Sequence, residues 1–183
     1  RDRSVSRGLG DVYKRQSQAD AKYKRYIGNG APKHFLSWSN NLTWRNFDLS
    51  VFFRGTFGFD VFNMRKYGMG LQGCGTDNVL RSAYLEDKNI RTGGGVISSY
   101  FLEDGSFIKL ENVTLGYNFT PKNRKLLDNM RIYLSAKNLF TLTGYSGNDP
   151  SIIDVNGIQP GVDSNSAYPT ATQLSLGVTL RFK

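Results

Sequence analysis

Five stretches of the chain alternate apolar and polar side chains with a period of two, the mark of a strand with one greasy face and one wet face. The alternation is strictest at the end, where Leu174, Leu176, Val178, Leu180 and Phe182 share one parity and Gln173, Ser175, Gly177, Thr179 and Arg181 the other. Residues 36–45 set Trp38, Leu42 and Trp44 against Ser37, Ser39, Asn41, Thr43 and Arg45, with Asn40 interrupting the apolar row. Residues 47–57 set Phe47, Leu49, Val51, Phe53 and Phe57 against Asp48, Ser50, Arg54 and Thr56, with Phe52 out of step. Only Arg45 and Asn46 lie between these two stretches, so they form a tight antiparallel hairpin. In 106–119 the pattern is clearest for Val113, Leu115, Tyr117 and Phe119 against Asn112, Thr114, Gly116 and Asn118, and in 131–142 for Ile132, Leu134, Ala136, Phe140 and Leu142 against Arg131, Tyr133, Ser135, Lys137 and Thr141.

The connections alternate short and long. The link 45–46 is minimal and 120–130 is modest, with Pro121 and room for one helical turn over 122–128. The links 58–105 and 143–171 are long, rich in Gly, Asn, Asp and Ser, and poor in repeat pattern. In an up-and-down meander this places the short turns at one end and the long loops at the other, the arrangement of outer-membrane barrels with periplasmic turns and extracellular loops. Strands of about 10 residues, tilted by roughly 45°, match an apolar band of around 25 Å. Trp44, Phe47, Tyr117, Phe119, Tyr133, Phe140, Tyr145 and Phe182 at strand ends suit interfacial aromatic girdles.

Periodicity alone fits a soluble β-sandwich as well, because one strand face there lines a core. The loop asymmetry, the aromatic ending and the two open edges of a five-stranded array favour the barrel. Five strands cannot close a membrane-spanning barrel, and unpaired edges in lipid are costly. The expectation is an all-β, antiparallel, up-and-down transmembrane β-barrel fragment, the last piece of a larger wall.

Composition agrees. The 183 residues include 20 Gly, 12 Phe and 10 Tyr, with 39% hydrophobic residues, a β-leaning profile. No stretch reaches the roughly 18 apolar residues of a membrane helix, but alternating strands keep the average polar. The net charge is +9, yet residues 1–25 hold eight Lys or Arg against three Asp, so five of those nine charges sit there. That distribution argues against a nucleic-acid-binding face on the folded part. Residues 1–16 show neither period and are set apart as a non-native or disordered tail, leaving 17–183 as the barrel portion. Cys74 is the only cysteine, which leaves no internal disulfide or cysteine metal cluster.

Three late motifs carry a resemblance. DGSFIKLENVTLGYNF (104–119), RIYLSAKNLFTLTGYSGNDP (131–150) and AYPTATQLSLGVTLRF (167–182), in this order, resemble the C-terminal end of the SusC/RagA family of TonB-dependent outer-membrane transporters of Bacteroidetes-type bacteria. YIGNGAPK (26–33) and NFDLSVFFRGTFGFDVFN (46–63) are similar to the preceding hairpin of that family. The resemblance covers 20–182 and implies the last strands of a barrel of about 22 strands. It also implies a plug and a TonB-contacting segment outside this stretch. Import of oligosaccharides or peptides across the cell outer membrane, with a SusD-like surface lipoprotein as lid, is the implied activity. Gly177, Leu180 and Phe182 resemble the terminal signal read by the barrel-assembly machinery, although Lys183 follows the aromatic.

Chemistry is sparse. Gly93, Gly94 and Gly95 lack the strand, Lys-Ser/Thr and helix of a phosphate loop. His34 is the only histidine, so no triad or His-based zinc site has a second member. Asp149, Asp154 and Asp163, with Asn148 and Asn156, offer oxygens but not the EF-hand register. Glu103 with Asp104, or Glu86 with Asp87, point apart on a strand and make no glycosidase pair. No catalytic, cofactor or metal site is expected, and the chain is read as a non-enzyme. Tyr67, Tyr84, Tyr100, Tyr145 and Tyr168 in or beside the loops are the candidates for stacking on sugar or peptide ligands. Leu174, Leu176, Val178, Leu134, Leu115 and Val51 are expected to face lipid, while Arg54, Lys109, Lys137 and Arg181 would make the inner wall basic. A soluble carbohydrate-binding sandwich and a non-transporting barrel adhesin are the alternatives.

Overall fold

The computed structural model describes residues 26–70, 78–85, 97–121, 127–153, 158–164 and 168–183. In chain order the elements are β1 (His34–Trp44), β2 (Phe47–Phe57), β3 (Asp60–Asn63), helix α1 (Met64–Met69), helix α2 (Ser82–Leu85), a 3-10 turn at Ser99–Phe101, β4 (Leu102–Asp104), β5 (Phe107–Phe119), β6 (Leu127–Thr143), a 3-10 turn at Pro150–Ile152, β7 (Val162–Asp163) and β8 (Gln173–Phe182). The five long strands form one sheet in the order β1-β2-β5-β6-β8, every pair antiparallel. All five expected strands are present. The β1–β2 turn is closed by Arg45 at φ 55°, a left-handed conformation that two-residue hairpin loops use.

Register turns the alternation into a grid. Leu42, Leu49, Leu115, Leu134 and Leu176 stand side by side, one from each strand. Below them run Trp44, Phe47, Tyr117, Ile132 and Val178, and above them Asn40, Val51, Val113, Ala136 and Leu174. Leu134, Leu174 and Leu176 are 51%, 70% and 75% exposed. An apolar surface this continuous exceeds the few hundred Å² that soluble monomers usually leave to water. From Ile108 to Phe119 it runs about 36 Å along β5, or about 25 Å of height at a tilt of about 45°. The side chain of Asn40 interrupts it, its Oδ1 without a hydrogen-bond partner.

The opposite face is polar. Asn41, Ser50, Thr114, Ser135 and Ser175 form a row across all five strands, in which Thr114 Oγ1 donates to Ser135 Oγ at 3.1 Å. The next row is Thr43, Asp48, Gly116, Tyr133 and Gly177. A Cβ on Gly116 would collide with the Asp48 carboxylate. Its absence lets Asp48 reach over β5 to Arg131 on β6, whose Nε donates to Asp48 Oδ1 at 3.1 Å. Gly177 likewise leaves room for the Tyr133 ring. The register slips between Leu110 and Asn112 and again between Leu127 and Asn129, and Glu111 at the first bulge accepts from Arg54 Nε at 3.1 Å.

Short connections do lie at one end and long ones at the other. The described parts of the long ones, however, are folded. β3 pairs antiparallel with β4 and parallel with β7, strands of two to four residues, too short for a period to show in the sequence. At the other end, Leu127 and Asp128, expected within a helical turn, begin β6; 122–126 lie outside the described residues.

Candidate functional site

The two long loops join into a cap over the loop end of the sheet. Its centre is β3, which buries both faces. One face holds Phe59 and Val61 against Phe107, Tyr145 and Ile153; the other sets Phe62 against Phe101, with Tyr67 and Tyr100 around it. Tyr67 and Phe101 meet edge to face at 5.2 Å between ring centres, a favoured aromatic geometry. The stretch preceding β1 is stitched in as well. Asn29 N donates to Asp60 Oδ2 at 2.9 Å, and Asp60 N donates to Asn29 O at 2.8 Å. Gly161, at φ 75°, sits where a Cβ would strike Asp60 O and Gly30 Cα, so only glycine lets these backbones approach.

Two polar nodes anchor the cap. At the first, Glu103 Oε2 accepts from Ser146 N at 2.9 Å and Glu103 Oε1 from Ser146 Oγ at 2.8 Å, while Lys66 Nζ lies 3.5 Å away. Asn63, buried, caps α1 by accepting from Lys66 N at 2.9 Å and donates to Ser146 Oγ at 3.2 Å. Burial opposes the Glu103 charge, but the Ser146 bonds, Lys66 and Asn63 outweigh it and hold the carboxyl below its usual range.

At the second node Lys109, on the polar face of β5, is 2% exposed. Its Nζ donates to Asp149 Oδ2 at 3.2 Å, Ser151 Oγ at 2.8 Å and Thr170 Oγ1 at 2.7 Å. Asp149 also accepts from Thr170 Oγ1 at 2.6 Å and Ser151 N at 2.9 Å. Burial alone would raise the Asp149 carboxyl, but the hydrogen bonds from Thr170, Ser151 and Lys109 bring it down to about 2.

The expected tyrosines separate into two kinds. Tyr84 and Tyr168 are exposed, at 56% and 91%. Tyr145 is buried, and its hydroxyl donates to Asp163 Oδ2 at 2.6 Å; burial first, then Asp163, raises its phenol above the ordinary range. It is core, so it corrects the expectation of a ligand-stacking ring. Tyr67 and Tyr100 are half-buried in the Phe101 cluster, and Lys66 Nζ sits 4.4 Å from the Tyr100 ring centre. These two are also held by packing within the cap.

The expected basic inner wall is corrected in part, since three of its four cations face carboxylates. Arg54 pairs with Glu111, Lys109 with Asp149, and Arg181 Nε approaches Asp128 Oδ2 at 4.0 Å. Lys137 stands exposed between Asn112 and Gln173. Leu115, Leu134, Leu174, Leu176 and Val178 are exposed and Val51 is half-exposed, all on the apolar face. Leu180 and Phe182 are exposed on that same face, with Gly177 on the polar one. His34 opens β1, and Asp104 accepts from Ser106 N at 2.9 Å. Among the described residues no cluster of three His, Cys, Asp or Glu gathers as a metal site. Cys74, Glu86, Asp87, the Gly93–Gly95 run, Asp154, Asn156 and the 1–16 tail lie outside the described residues.

The nodes were missed because their partners are far apart in sequence. Only Asp149-Pro150-Ser151 gave a local sign: Asp149 accepts from Ser151 N and Pro150 opens the 3-10 turn, the ordinary chemistry of a capped start.

An antiparallel meander with one face fit for lipid, one polar face and a folded cap at one end is the architecture of a transmembrane β-barrel wall. No family model matches the chain. TonB-dependent receptor P3 of Formosa agariphila is 26% identical over 180 residues, 87% of this chain and 17% of that protein. TonB-dependent receptor SusC of Bacteroides thetaiotaomicron is 28% identical over 156 residues, 80% of this chain and 15% of that protein. Among solved structures, the RagAB peptide importer in its closed-closed state matches 90% of this chain and 19% of its own chain, with a TM-score of 0.71 and 25% identity. In its open-open state the TM-score is 0.70 at 24% identity. The chain thus spans less than a fifth of the length of these relatives, and it is similar to SusC/RagA-type TonB-dependent receptors along most of its own.

Proposed function

We propose that this chain is the C-terminal barrel portion of an outer-membrane TonB-dependent transporter that takes up oligosaccharides or peptides together with a SusD-like surface lipoprotein. The observation that carries the reading is the leucine row Leu42–Leu49–Leu115–Leu134–Leu176, exposed at every member but the half-buried Leu49, on one face of a sheet whose other face carries Asn41, Ser50, Thr114, Ser135 and Ser175. Lipid on one side and a water-filled lumen on the other is the setting in which both rows are stable.

The role is not catalytic. Ligand is captured at the mouth formed by the cap, where Tyr84 and Tyr168 are exposed, and passes inward when the TonB complex acts on a plug supplied by the rest of the protein. Gly177, Leu180 and Phe182 on β8 would be read by the barrel-assembly machinery. The charge-paired inner wall favours hydroxyl-rich or zwitterionic cargo over a strongly anionic one.

The test is to produce the complete reading frame in its own outer membrane. The expected outcome is heat-modifiable migration in detergent gels, and growth on a glycan or peptide source that is lost on deletion and reduced several-fold by Tyr84→Ala with Tyr168→Ala. A product soluble without detergent would sink the barrel reading in favour of a β-sandwich module; a heat-modifiable barrel whose deletion leaves growth on every glycan and peptide source unchanged would favour an adhesin.

A further inference from the structure

We propose that Lys109 is a buried latch that pins the two legs of the outer loop between β6 and β8, residues 144–153 and 168–172, to the sheet, making these legs a stationary part of the mouth. The ammonium group has three N–H donors and no acceptor, and each donor has an oxygen: Asp149 at 3.2 Å, Ser151 at 2.8 Å and Thr170 at 2.7 Å. These partners come from both ends of the loop, Asp149 and Ser151 near its start and Thr170 near its finish. Thr170 Oγ1 also donates to Asp149 Oδ2 at 2.6 Å, closing the circuit. One wall residue therefore gathers both legs of the loop.

Neighbouring contacts hold the same segment. Asn138 Nδ2 donates to Ala171 O at 3.2 Å and Thr172 Oγ1 donates to Asn138 O at 2.9 Å, fixing the descending leg to β6. Tyr145 and Asp163 clasp the interior of the loop at 2.6 Å, and Phe62 N donates to Gly161 O at 2.7 Å, joining it to β3. To lift away, the loop must separate a buried ion pair and leave each charge in search of new partners, a change that buried pairs strongly resist.

The experiment is hydrogen exchange on the complete protein in detergent, comparing loop peptides covering 144–153 and 168–172 with β6 as internal control. Lys109→Met keeps the chain length and removes the charge; loop amides should exchange at least tenfold faster while β6 is unchanged. Thr170→Val, a milder change, should give at least a threefold increase. Adding Asp149→Leu to Lys109→Met removes the orphaned carboxylate and should restore at least threefold of the lost protection, a recovery that mere loosening would not produce. Loop exchange at the wild-type rate in Thr170→Val, or no recovery in the double variant, overturns the latch. If Lys109→Met does not assemble, Thr170→Val decides alone. The readout needs no ligand and no transport, so it stands or falls separately from the uptake reading.

Discussion

The wall and the cap use the same aromatic side chains to opposite ends. Phe59, Phe101 and Phe107 are 2%, 4% and 3% exposed, whereas Phe47, Phe140 and Phe182 are 43%, 44% and 63% exposed. The first group packs as the core of any water-soluble domain does. The second, together with the leucine row, is stable only where the surrounding medium is itself apolar. A single chain thus satisfies the hydrophobic effect in two ways, by burial against itself at the loop end and by contact with lipid along the strands. What differs is the second face: the wall has a polar one, whereas the cap strand β3 packs an apolar residue to each side, Val61 fully buried and Phe62 partly so.

The harshest way to break the comparison is to hollow the cap. Phe59→Ala removes a ring at the centre of the Phe59, Val61, Phe107, Tyr145 and Ile153 cluster and should cost the cap about 3–5 kcal/mol. If cap and wall are separately stabilised, loop proteolysis will rise sharply while heat-modifiable migration in gels is retained. Loss of both together would mean that the cap is needed for the wall to assemble.

The wall is probed by a matched pair on β8. Leu176→Arg places a charge in the leucine row and should destabilise the barrel by roughly 2–4 kcal/mol, the cost of a midplane arginine facing lipid. Ser175→Arg, one residue away, lies in the hydroxyl row beside Ser135 and should change stability by less than about 1 kcal/mol, as lumen substitutions do. Urea unfolding in lipid vesicles measures both. Equal effects would mean that the two faces meet the same medium, and a reversed order that they are inverted.

Legibility followed the same division. The wall strands were readable because each of their residues repeats its signal two positions on, as Leu174, Leu176 and Val178 do, and because the neighbouring strand is one connection away. The cap was not. Its strand β7 has two residues, shorter than a single period, and Phe59 and Phe101 owe their burial to segments that share no pattern. Lys109 is the sharpest case: by parity it was an inward lysine on a wet wall, yet its partners lie 40, 42 and 61 residues away. Tyr145 was misplaced for the related reason that a tyrosine amid Gly, Ser and Asn looks exposed until Asp163 and Phe59 close over it. Gly116 and Gly177 carried a signal in plain view, since glycine in a strand interior marks a close approach, but what approaches each of them depends on register.

The finest separation of cap from wall is by pH. Asp149 has a carboxyl lowered from 3.8 to about 2, so its charged form is favoured in the folded state. The stability it contributes is complete above about pH 4 and is lost as pH falls toward about 2, amounting to about 2 kcal/mol. Glu103 is shifted in the same direction and adds to the effect with the same sign. The outer face of the wall carries no carboxylate among its described rows, and the inner-face carboxylates Asp48 and Glu111 join strands that the backbone ladder already holds together. Pepsin, active across this range, should therefore cut loop 144–172 faster at pH 2 than at pH 3.5, relative to an unstructured peptide, while the strands stay protected. Asp149→Asn should flatten most of that dependence, because an amide cannot ionise; a loop cut at equal normalised rates at both pH values in the wild type would show that the carboxylate nodes do not hold the cap.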